Sequence, residues 1–104
     1  MGQDRRRQEI LAEMAELGVV LPGSVVERST RCQRSGCHCR AEPPRLHGPY
    51  VTWMRQEGSH QVTRTLSAEQ AERLRPLVAA DRRLRQLVRE LEALALSEVE
   101  DLLS

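Results

Sequence analysis

Residues 50–66 read YVTWMRQEGSHQVTRTL, and the fold of the chain follows from this stretch. Two runs rich in β-branched and aromatic residues, 50–56 and 60–66, are separated by Glu57-Gly58-Ser59. A short turn with glycine between two such runs is typical of a β-hairpin. We therefore predict two antiparallel strands here. A third strand is predicted in the roughly alternating run SVVERSTRC, which follows Gly23.

Helices are predicted on both sides of these strands. In the segment from Asp4, apolar residues recur at helical spacing at Ile10, Leu11, Met14 and Leu17. Gly18 stands where that helix is expected to end. Ser67 with Gln70 three residues later is the pattern of a capping box, which opens a second helix. Pro76 lies about two turns inside the second helix, so we expect either a kink or a fresh helix start there.

The composition indicates one small domain with a thin core. The chain has 104 residues, of which 39% are hydrophobic and 2% aromatic, with no phenylalanine. Typical domains hold about 45–50% apolar residues, and a chain of this size buries only about 60–70% of its unfolded surface. A second independent core is excluded, and we expect an additional staple such as a metal, a partner chain or both.

The cysteines lie together in the segment TRCQRSGCHCRAEPPRLHGPY, residues 30–50. Cys32, Cys37 and Cys39 with one histidine match the number and softness of ligands in a closed tetrahedral zinc site. His47 is favoured as the fourth ligand because it comes from a separate strand entrance and closes a loop, while His38 is the alternative. The sequence thus predicts structural Zn²⁺ at Cys32, Cys37, Cys39 and His47.

Two other interpretations of the cysteines stay open. The thiols can be reduced residues packed without metal, or one can be a reactive thiol, since Cys37 and Cys39 flank His38. Adjacent positions seldom hold a nucleophile and its base in hydrogen-bonding geometry. The chain also lacks the GxSxG, P-loop, HExxH and GxGxxG motifs. We expect no enzyme, no catalytic residues and no small-molecule substrate.

The order of these features resembles a family of short uncharacterised bacterial and archaeal proteins of the domain-of-unknown-function type. The specific part is the C-x4-C-x-C cluster followed by His-Gly-Pro-Tyr at residues 47–50, then a hairpin and a long helix. The resemblance covers residues 23 to about 87. It implies a metal-binding domain without a settled activity.

A heptad pattern follows Pro76. Leu77, Leu84 and Leu91 recur every seven residues, with Ala80, Leu87 and Leu94 in register as a second seam. One helix over 68–103 would be about 54 Å long, more than a small sheet covers. We expect a homodimer through Leu77, Leu84, Leu87, Leu91 and Leu94. The alternative is a break at Ser97-Glu98-Val99-Glu100, after which the acidic end folds back.

Charge is unevenly distributed along the chain. Residues 28–64 hold seven arginines against two acids, and residues 90–104 hold five acids and no base. Arginine suits phosphates and base edges, although GC-rich coding gives the same all-arginine bias. On the second strand Tyr50, Thr52 and Gln56 would form a free face, while Val51 and Trp53 pack under the helix. The predicted nucleic-acid contacts are Arg34, Arg40, Arg45, Arg55 and Arg64.

These features predict an α+β fold with an N-terminal helix, a small three-stranded antiparallel sheet with a zinc-stapled loop, and a long C-terminal helix. The expected divisions are 1–22, a helix and linker; 23–67, the stapled sheet; and 68–104, the long helix with its acidic tail. The expected function is DNA or RNA binding by an accessory protein. The alternative is a zinc-stapled adaptor that oligomerises through its helices. With no targeting segment and no apolar run near about 20 residues, we expect a cytoplasmic protein without membrane contact.

Overall fold

A computed structural model describes the backbone of residues 2–30 and 47–104, and the side chains of residues 3–29 and 50–104. The elements in chain order are α1 (Gly2–Glu16), β1 (Ser24–Thr30), β2 (His47–Glu57), β3 (His60–Leu66), α2 (Ala68–Ser97) and α3 (Val99–Leu103). The predicted α+β architecture of helix, three-stranded antiparallel sheet and long helix is confirmed. Within the described ranges no helix combines the length and apolar character needed to cross a membrane.

The three strands form a sheet in the order β1-β2-β3, with both neighbouring pairs antiparallel. Glu57 pairs with His60, so only Gly58 and Ser59 make the turn between β2 and β3. Gly58 has a φ of 62°, the sign required at the first central position of a type II′ turn. The hairpin predicted around this glycine is therefore confirmed.

The strand register sorts the side chains into two faces, because directly opposed residues point to the same side of a sheet. The Trp53 face consists of Val25, Glu27, Val51, Trp53, Arg55, Glu57, His60, Val62, Arg64 and Leu66. The open face consists of Ser24, Val26, Arg28, Tyr50, Thr52, Met54, Gln56, Gln61, Thr63 and Thr65. The first turns of α2 pack on the Trp53 face, where Leu66 and Ala71 are buried.

The pairing of β1 with β2 shifts by one residue near the end of β1. Arg28 pairs with Tyr50 and Thr30 pairs with His47, so two residues of β2 oppose one of β1. One of the two is Pro49, which has no N–H for the ladder, and proline within a sheet is confined to edges and bulges. The shift therefore lies where the sequence cannot maintain regular pairing.

The start of α2 follows the predicted capping box. The Ser67 hydroxyl accepts the Gln70 N–H at 3.1 Å, and the Gln70 side-chain oxygen accepts the Ser67 N–H at 2.9 Å. The fresh helix start predicted at Pro76 is wrong, because α2 continues through it to Ser97. Packing on both sides of the proline, at Ala71 and Val78, supports the helix across the missing hydrogen bond.

A continuous helix to residue 103 is not observed. α2 ends at Ser97, whose hydroxyl donates to the Leu94 carbonyl at 2.7 Å, and the five-residue α3 follows after Glu98. The break predicted within Ser97-Glu98-Val99-Glu100 is confirmed, although no side chain caps the start of α3, and the folding back of the acidic end stays a prediction. The 30 residues of α2 therefore extend about 45 Å, less than the roughly 54 Å expected for one helix over 68–103.

The chain divides into two compact units. The sheet unit is Pro22–Pro76, and the helical unit is Met1–Leu21 with Leu77–Ser104. The sheet unit contains nine arginines and five carboxylates, a formal charge of +4. The helical unit contains seven arginines and ten carboxylates, a formal charge of −3. The near-neutral whole thus contains a basic unit and an acidic unit.

In the helical unit, α1 runs antiparallel to the later part of α2. Gln3, Arg6 and Glu13 of α1 bond to Ser97, Glu90 and Arg83 of α2, so the numbers rise on one helix as they fall on the other. After α1, the Leu21 N–H donates to the Leu77 carbonyl at 3.1 Å. The two fully buried large side chains, Ile10 and Leu87, lie between the Glu13 and Arg6 ion pairs in sequence and form the centre of this contact.

Candidate functional site

Most of the residues predicted for metal binding lie outside the described part of the chain. This holds for Cys32, Cys37, Cys39 and the alternative ligand His38. His47 is the first residue of β2, and its side chain is also outside the described residues. Among the residues that the structure describes, no group of three or more His, Cys, Asp or Glu side chains is arranged to hold a metal ion.

The predicted nucleic-acid arginines divide in the same way. Arg34, Arg40 and Arg45 lie outside the described residues, while Arg55 and Arg64 lie together on the Trp53 face. The structure therefore brings two of the five together, on the side of the sheet opposite Tyr50 and Thr52.

Arg55 is held by two interactions at this face. Its guanidinium carbon lies 4.1 Å from the centroid of the Trp53 ring, and its Nε lies 2.7 Å from a Glu57 carboxylate oxygen. A guanidinium over an indole at this distance is a cation–π contact. Arg55 thus covers one face of the indole and has its charge partly neutralised by its own strand.

The segment before β1 fixes the Trp53 side chain. The indole Nε1 donates a hydrogen bond to the Pro22 carbonyl at 2.9 Å. Gly23, which follows, has a φ of 106° and leaves no room for a side chain: an added Cβ would lie 2.3 Å from the Met54 carbonyl oxygen and 2.9 Å from Nε1. The close approach of this backbone to β2 therefore requires glycine at position 23.

A cleft opens beside Trp53, between β3 and the start of α2. Its volume is about 240 Å³, and it is lined by Trp53, Arg64, Leu66, Gln70, Arg73 and Leu74. We call this the Trp53 cleft. Its lining combines apolar surface with two guanidinium groups, and no carboxylate of the described residues lines it. Neither Arg64 nor Arg73 has an ion-pair partner within the described ranges.

Arg73 was missed by reasoning from the sequence. Gln70, Arg73 and Leu74 follow the i, i+3, i+4 spacing of one helix face, so the sequence does contain the signal that they lie together. The sequence does not show which strand that face meets. The register, which places Arg64 directly opposite Trp53, supplies this information.

The open face has a different chemistry. None of its ten residues is acidic, and all except Val26 and Met54 carry a side-chain hydrogen-bonding group. Tyr50 is 46% exposed, and Arg28, Thr63 and Thr65 are also exposed. Arg28 was not among the predicted contacts. Its place on this face follows from the register with Tyr50.

The leucines predicted to form a dimer differ in their exposure within one chain. Leu87 is completely buried, whereas Leu77, Leu84, Leu91 and Leu94 are half-buried. A groove on α2 is lined by Asp81, Leu84, Arg85, Val88, Arg89 and Glu92. Leu87 is covered by its own chain, so the apolar surface that a partner helix would contact in this region is that of Leu84 and the 41%-exposed Val88.

Ion pairs join the two helices of the helical unit. The Nε and Nη2 groups of Arg83 donate to the two oxygens of the Glu13 carboxylate, with Nη2 at 2.9 Å from Oε1. These hydrogen bonds, and to a smaller degree the charges of Arg83 and Arg6, hold the pKa of Glu13 below its ordinary value against the opposing effect of desolvation.

The fold and these surfaces define a small α+β protein with a basic sheet unit. The chain belongs to the family described as domain of unknown function (DUF6788), whose model matches residues 3–76. The match covers α1, the cysteine segment, the sheet and α2 as far as Pro76. Neither the curated proteins nor the solved structures gave a match to this chain.

Proposed function

We propose that this protein is a small, cytoplasmic, zinc-stabilised accessory protein that binds duplex nucleic acid through the open face. One observation carries the proposal: across three strands this face has hydrogen-bonding side chains and no carboxylate. Acidic groups repel phosphates, and hydroxyl, amide and guanidinium groups bond to both phosphates and base edges. Both acids of the three strands, Glu27 and Glu57, lie on the opposite, Trp53 face.

The dimensions of the sheet suit a major groove. Neighbouring strands lie about 4.8 Å apart, and a B-form major groove about 12 Å wide admits a two-stranded ribbon, so β2 would enter the groove with one of its neighbours. Thr52 lies on the central strand, with Val26 and Thr65 beside it on either side. Short side chains at this centre allow the backbone to approach the base edges.

Arginines of the sheet unit supply the phosphate contacts in this proposal. Arg28 lies on the face itself, and Arg34, Arg40 and Arg45 belong to the segment that connects β1 with β2. The +4 charge of the sheet unit supports the same assignment, since sequence-independent affinity for nucleic acid depends on phosphate neutralisation.

The proposed zinc site would close that connecting segment. Thr30 and His47 are paired residues of β1 and β2, so the segment leaves and re-enters the sheet at adjacent points. Cys32 follows Thr30 by two residues, and a chain extends at most about 3.6 Å per residue, so Cys32 and His47 are within reach of one ion. Three thiolates with one imidazole would hold Zn²⁺ as a structural centre.

Fluorescence anisotropy with a labelled 20-base-pair duplex at about 50 mM salt tests the proposal. Thr63→Glu places a charge on the open face, and Ser59→Glu adds the same charge at the hairpin turn as a matched control. We expect Thr63→Glu to weaken binding roughly 10-fold, about the effect of one unfavourable charged contact, and Ser59→Glu to have a much smaller effect. No binding by the wild type, or equal effects of the two variants, would contradict the proposal.

A second candidate is an adaptor that oligomerises through its helices without binding nucleic acid. The groove on α2 around Leu84 and Val88 favours it, because these residues continue the apolar seam on a part of the helix with exposed surface. Self-association through α2 is common to both candidates. They differ in whether the duplex changes the sedimentation of the protein, which it does only in the first.

A further inference from the structure

We propose that the Trp53 cleft is a separate binding site for a planar aromatic anion with the chemistry of a nucleoside monophosphate. Its ring would lie against the apolar part of the cleft and its phosphate between Arg64 and Arg73. The cleft lies on the side of the sheet opposite the open face. The proposal therefore does not depend on duplex binding by the open face.

The apolar part of the cleft is positioned by burial, a hydrogen bond and a cation–π contact. It consists of Trp53, Leu66 and Leu74, of which Leu66 is buried at 8% exposure. Trp53 is fixed through Pro22 by its Nε1 hydrogen bond and covered on one face by Arg55. The indole surface that lines the cleft is thus pre-positioned, so little conformational entropy of Trp53 is lost when a ligand ring binds.

The charged part of the cleft is formed by two elements. Arg64 comes from β3, opposite Trp53, and Arg73 comes from the second turn of α2. Within the described ranges neither guanidinium is paired with a carboxylate, in contrast to Arg55 with Glu57 and Arg75 with Glu72. Two guanidiniums beside one cleft, each without a carboxylate partner in the described part of the chain, favour an anion with several acceptor oxygens, which is the chemistry of a phosphate.

Gln70 adds a directed hydrogen-bond donor. Its side-chain oxygen already accepts the Ser67 N–H in the capping box. Gln70 also lines the cleft, and its amide NH₂ is the group of this side chain that remains to donate to a ligand. A ring with acceptor nitrogens or carbonyl oxygens at its edge can use this donor, whereas a purely hydrocarbon ring cannot.

The size of the cleft limits the ligand. At about 240 Å³ it is smaller than the roughly 300–1,000 Å³ of pockets for drug-sized molecules, so it takes one ring system with an attached phosphate. Such a unit can come from a free mononucleotide or from an unpaired nucleotide of a single strand. The two sources share one recognition chemistry.

The fluorescence of Trp53 reports directly on this site, because it is the one tryptophan of the chain. Full-length protein is titrated with adenosine 5′-monophosphate, adenosine, inorganic phosphate and a short single-stranded oligonucleotide, with excitation at a wavelength that the nucleotides do not absorb. We expect saturable quenching by the monophosphate and affinity for adenosine at least about 10-fold weaker, since adenosine lacks the charged contact. Tighter binding of the oligonucleotide identifies the single strand as the source, and equal or weaker binding identifies the free nucleotide.

Four variants separate the site from general effects of charge. Arg64→Ala and Arg73→Ala each remove one phosphate contact and are expected to weaken monophosphate binding roughly 10-fold. Arg75→Ala removes the same charge two residues along α2, outside the cleft, and is the matched control with little expected change. Gln70→Glu retains a capping-box acceptor, removes the donor and adds a negative charge to the cleft, so it is expected to weaken monophosphate binding for both reasons with the helix start preserved.

The contradicting results are equally specific. Unchanged Trp53 fluorescence with both the monophosphate and the oligonucleotide, in protein that is folded by circular dichroism, would overturn the proposal. Equal binding by wild type, Arg64→Ala and Arg73→Ala would overturn it too. Loss of duplex binding by Thr63→Glu with intact monophosphate binding would show that the two sites are independent.

Discussion

Gly23 shows how one residue positions the chemistry of the sheet unit. It combines a φ of 106° with contacts that exclude any side chain, and the carbonyl of the preceding Pro22 anchors the Trp53 indole. Nothing in the local sequence distinguishes Gly23 from an ordinary turn glycine. Its importance arises from the approach of the backbone to β2, which only the folded chain has.

Replacing Gly23 by alanine is expected to destabilise the protein by about 2–5 kcal/mol, from a strained φ together with overpacking against the Met54 carbonyl. The matched control is Gly58→Ala, which has a φ of 62° but nothing within 4 Å of the added Cβ. The control should cost only about 1–2 kcal/mol. Urea denaturation followed by Trp53 fluorescence measures both. Equal losses would show that the contacts at Gly23 do not matter.

The acidic residues of α1 provide a second test at the residue scale. Because Arg83 lowers the pKa of Glu13 in the folded protein, the stabilisation by this pair is fully present above the unfolded pKa of about 4.3. It is lost as the pH falls through the lower folded value. Glu13→Gln should therefore reduce the melting temperature at pH 7 and have a smaller effect at pH 3.

Glu16→Gln is the control for this pH dependence, since Glu16 has no ion pair among the described residues. Thermal unfolding of both variants and the wild type at pH 7 and pH 3 is sufficient. The assignment fails if Glu13→Gln and Glu16→Gln change the melting temperature by the same amount at pH 7.

At the scale of elements, the strands and helix ends follow from local signals. Alternation and Gly58 predict the hairpin, Ser67 with Gln70 predicts the start of α2, and Gly18 follows the end of α1 with a φ of 70°. These signals are visible because they depend on residues close in sequence. The exact end of α2 at Ser97 and its continuation through Pro76 depend on packing, so local sequence signals predict them less well.

The candidate site was only partly predictable for the same reason. Alternation along β2 places Arg55 with Trp53, but the face of Arg64 depends on the register of β3, and the place of Arg73 depends on how α2 meets the sheet. The burial of Leu87 depends on α1, sixty or more residues away in sequence. The cleft and the burial of Leu87 therefore could not be predicted from the sequence pattern, because both depend on contacts between residues that are far apart in the chain.

For the self-association through α2, we predict different roles for neighbouring apolar residues. A Leu84→Gln and Val88→Gln double variant removes exposed seam surface and should convert a dimer at about 100 µM into a folded monomer. Leu87→Ala opens a cavity inside one chain and should lower stability by about 2–5 kcal/mol. Sedimentation and thermal unfolding distinguish the two effects. A monomeric wild type at this concentration rules out the dimer.

At the scale of the whole molecule, the core is thin, so the proposed zinc ion would contribute a large part of the folding stability. Purified protein should contain about one zinc per chain, and Cys37→Ser should lose it with several kcal/mol of stability, because the binding free energy of a structural zinc contributes to folding. Ser35→Ala in the same segment is the control and should retain the metal. Elemental analysis and thermal unfolding check both. A metal-free wild type of equal stability would refute the zinc site.

The separation of charge between the sheet unit and the helical unit leads to the most direct test of duplex binding. Contacts from Arg28, Arg34, Arg40 and Arg45 would neutralise three or four phosphates, so the logarithm of affinity should fall with the logarithm of salt at a slope of about −2.7 to −3.6. Arg28→Ala, on the open face, should make the slope less negative by about 0.9. Arg55→Ala, on the Trp53 face, should leave the slope unchanged.

That measurement is a salt titration of duplex affinity for the wild type and these two arginine variants. The account predicts a linear dependence with the slope stated above and a change for Arg28→Ala alone. No duplex binding at about 50 mM salt, or a slope that responds to Arg55→Ala and not to Arg28→Ala, would contradict binding through the open face.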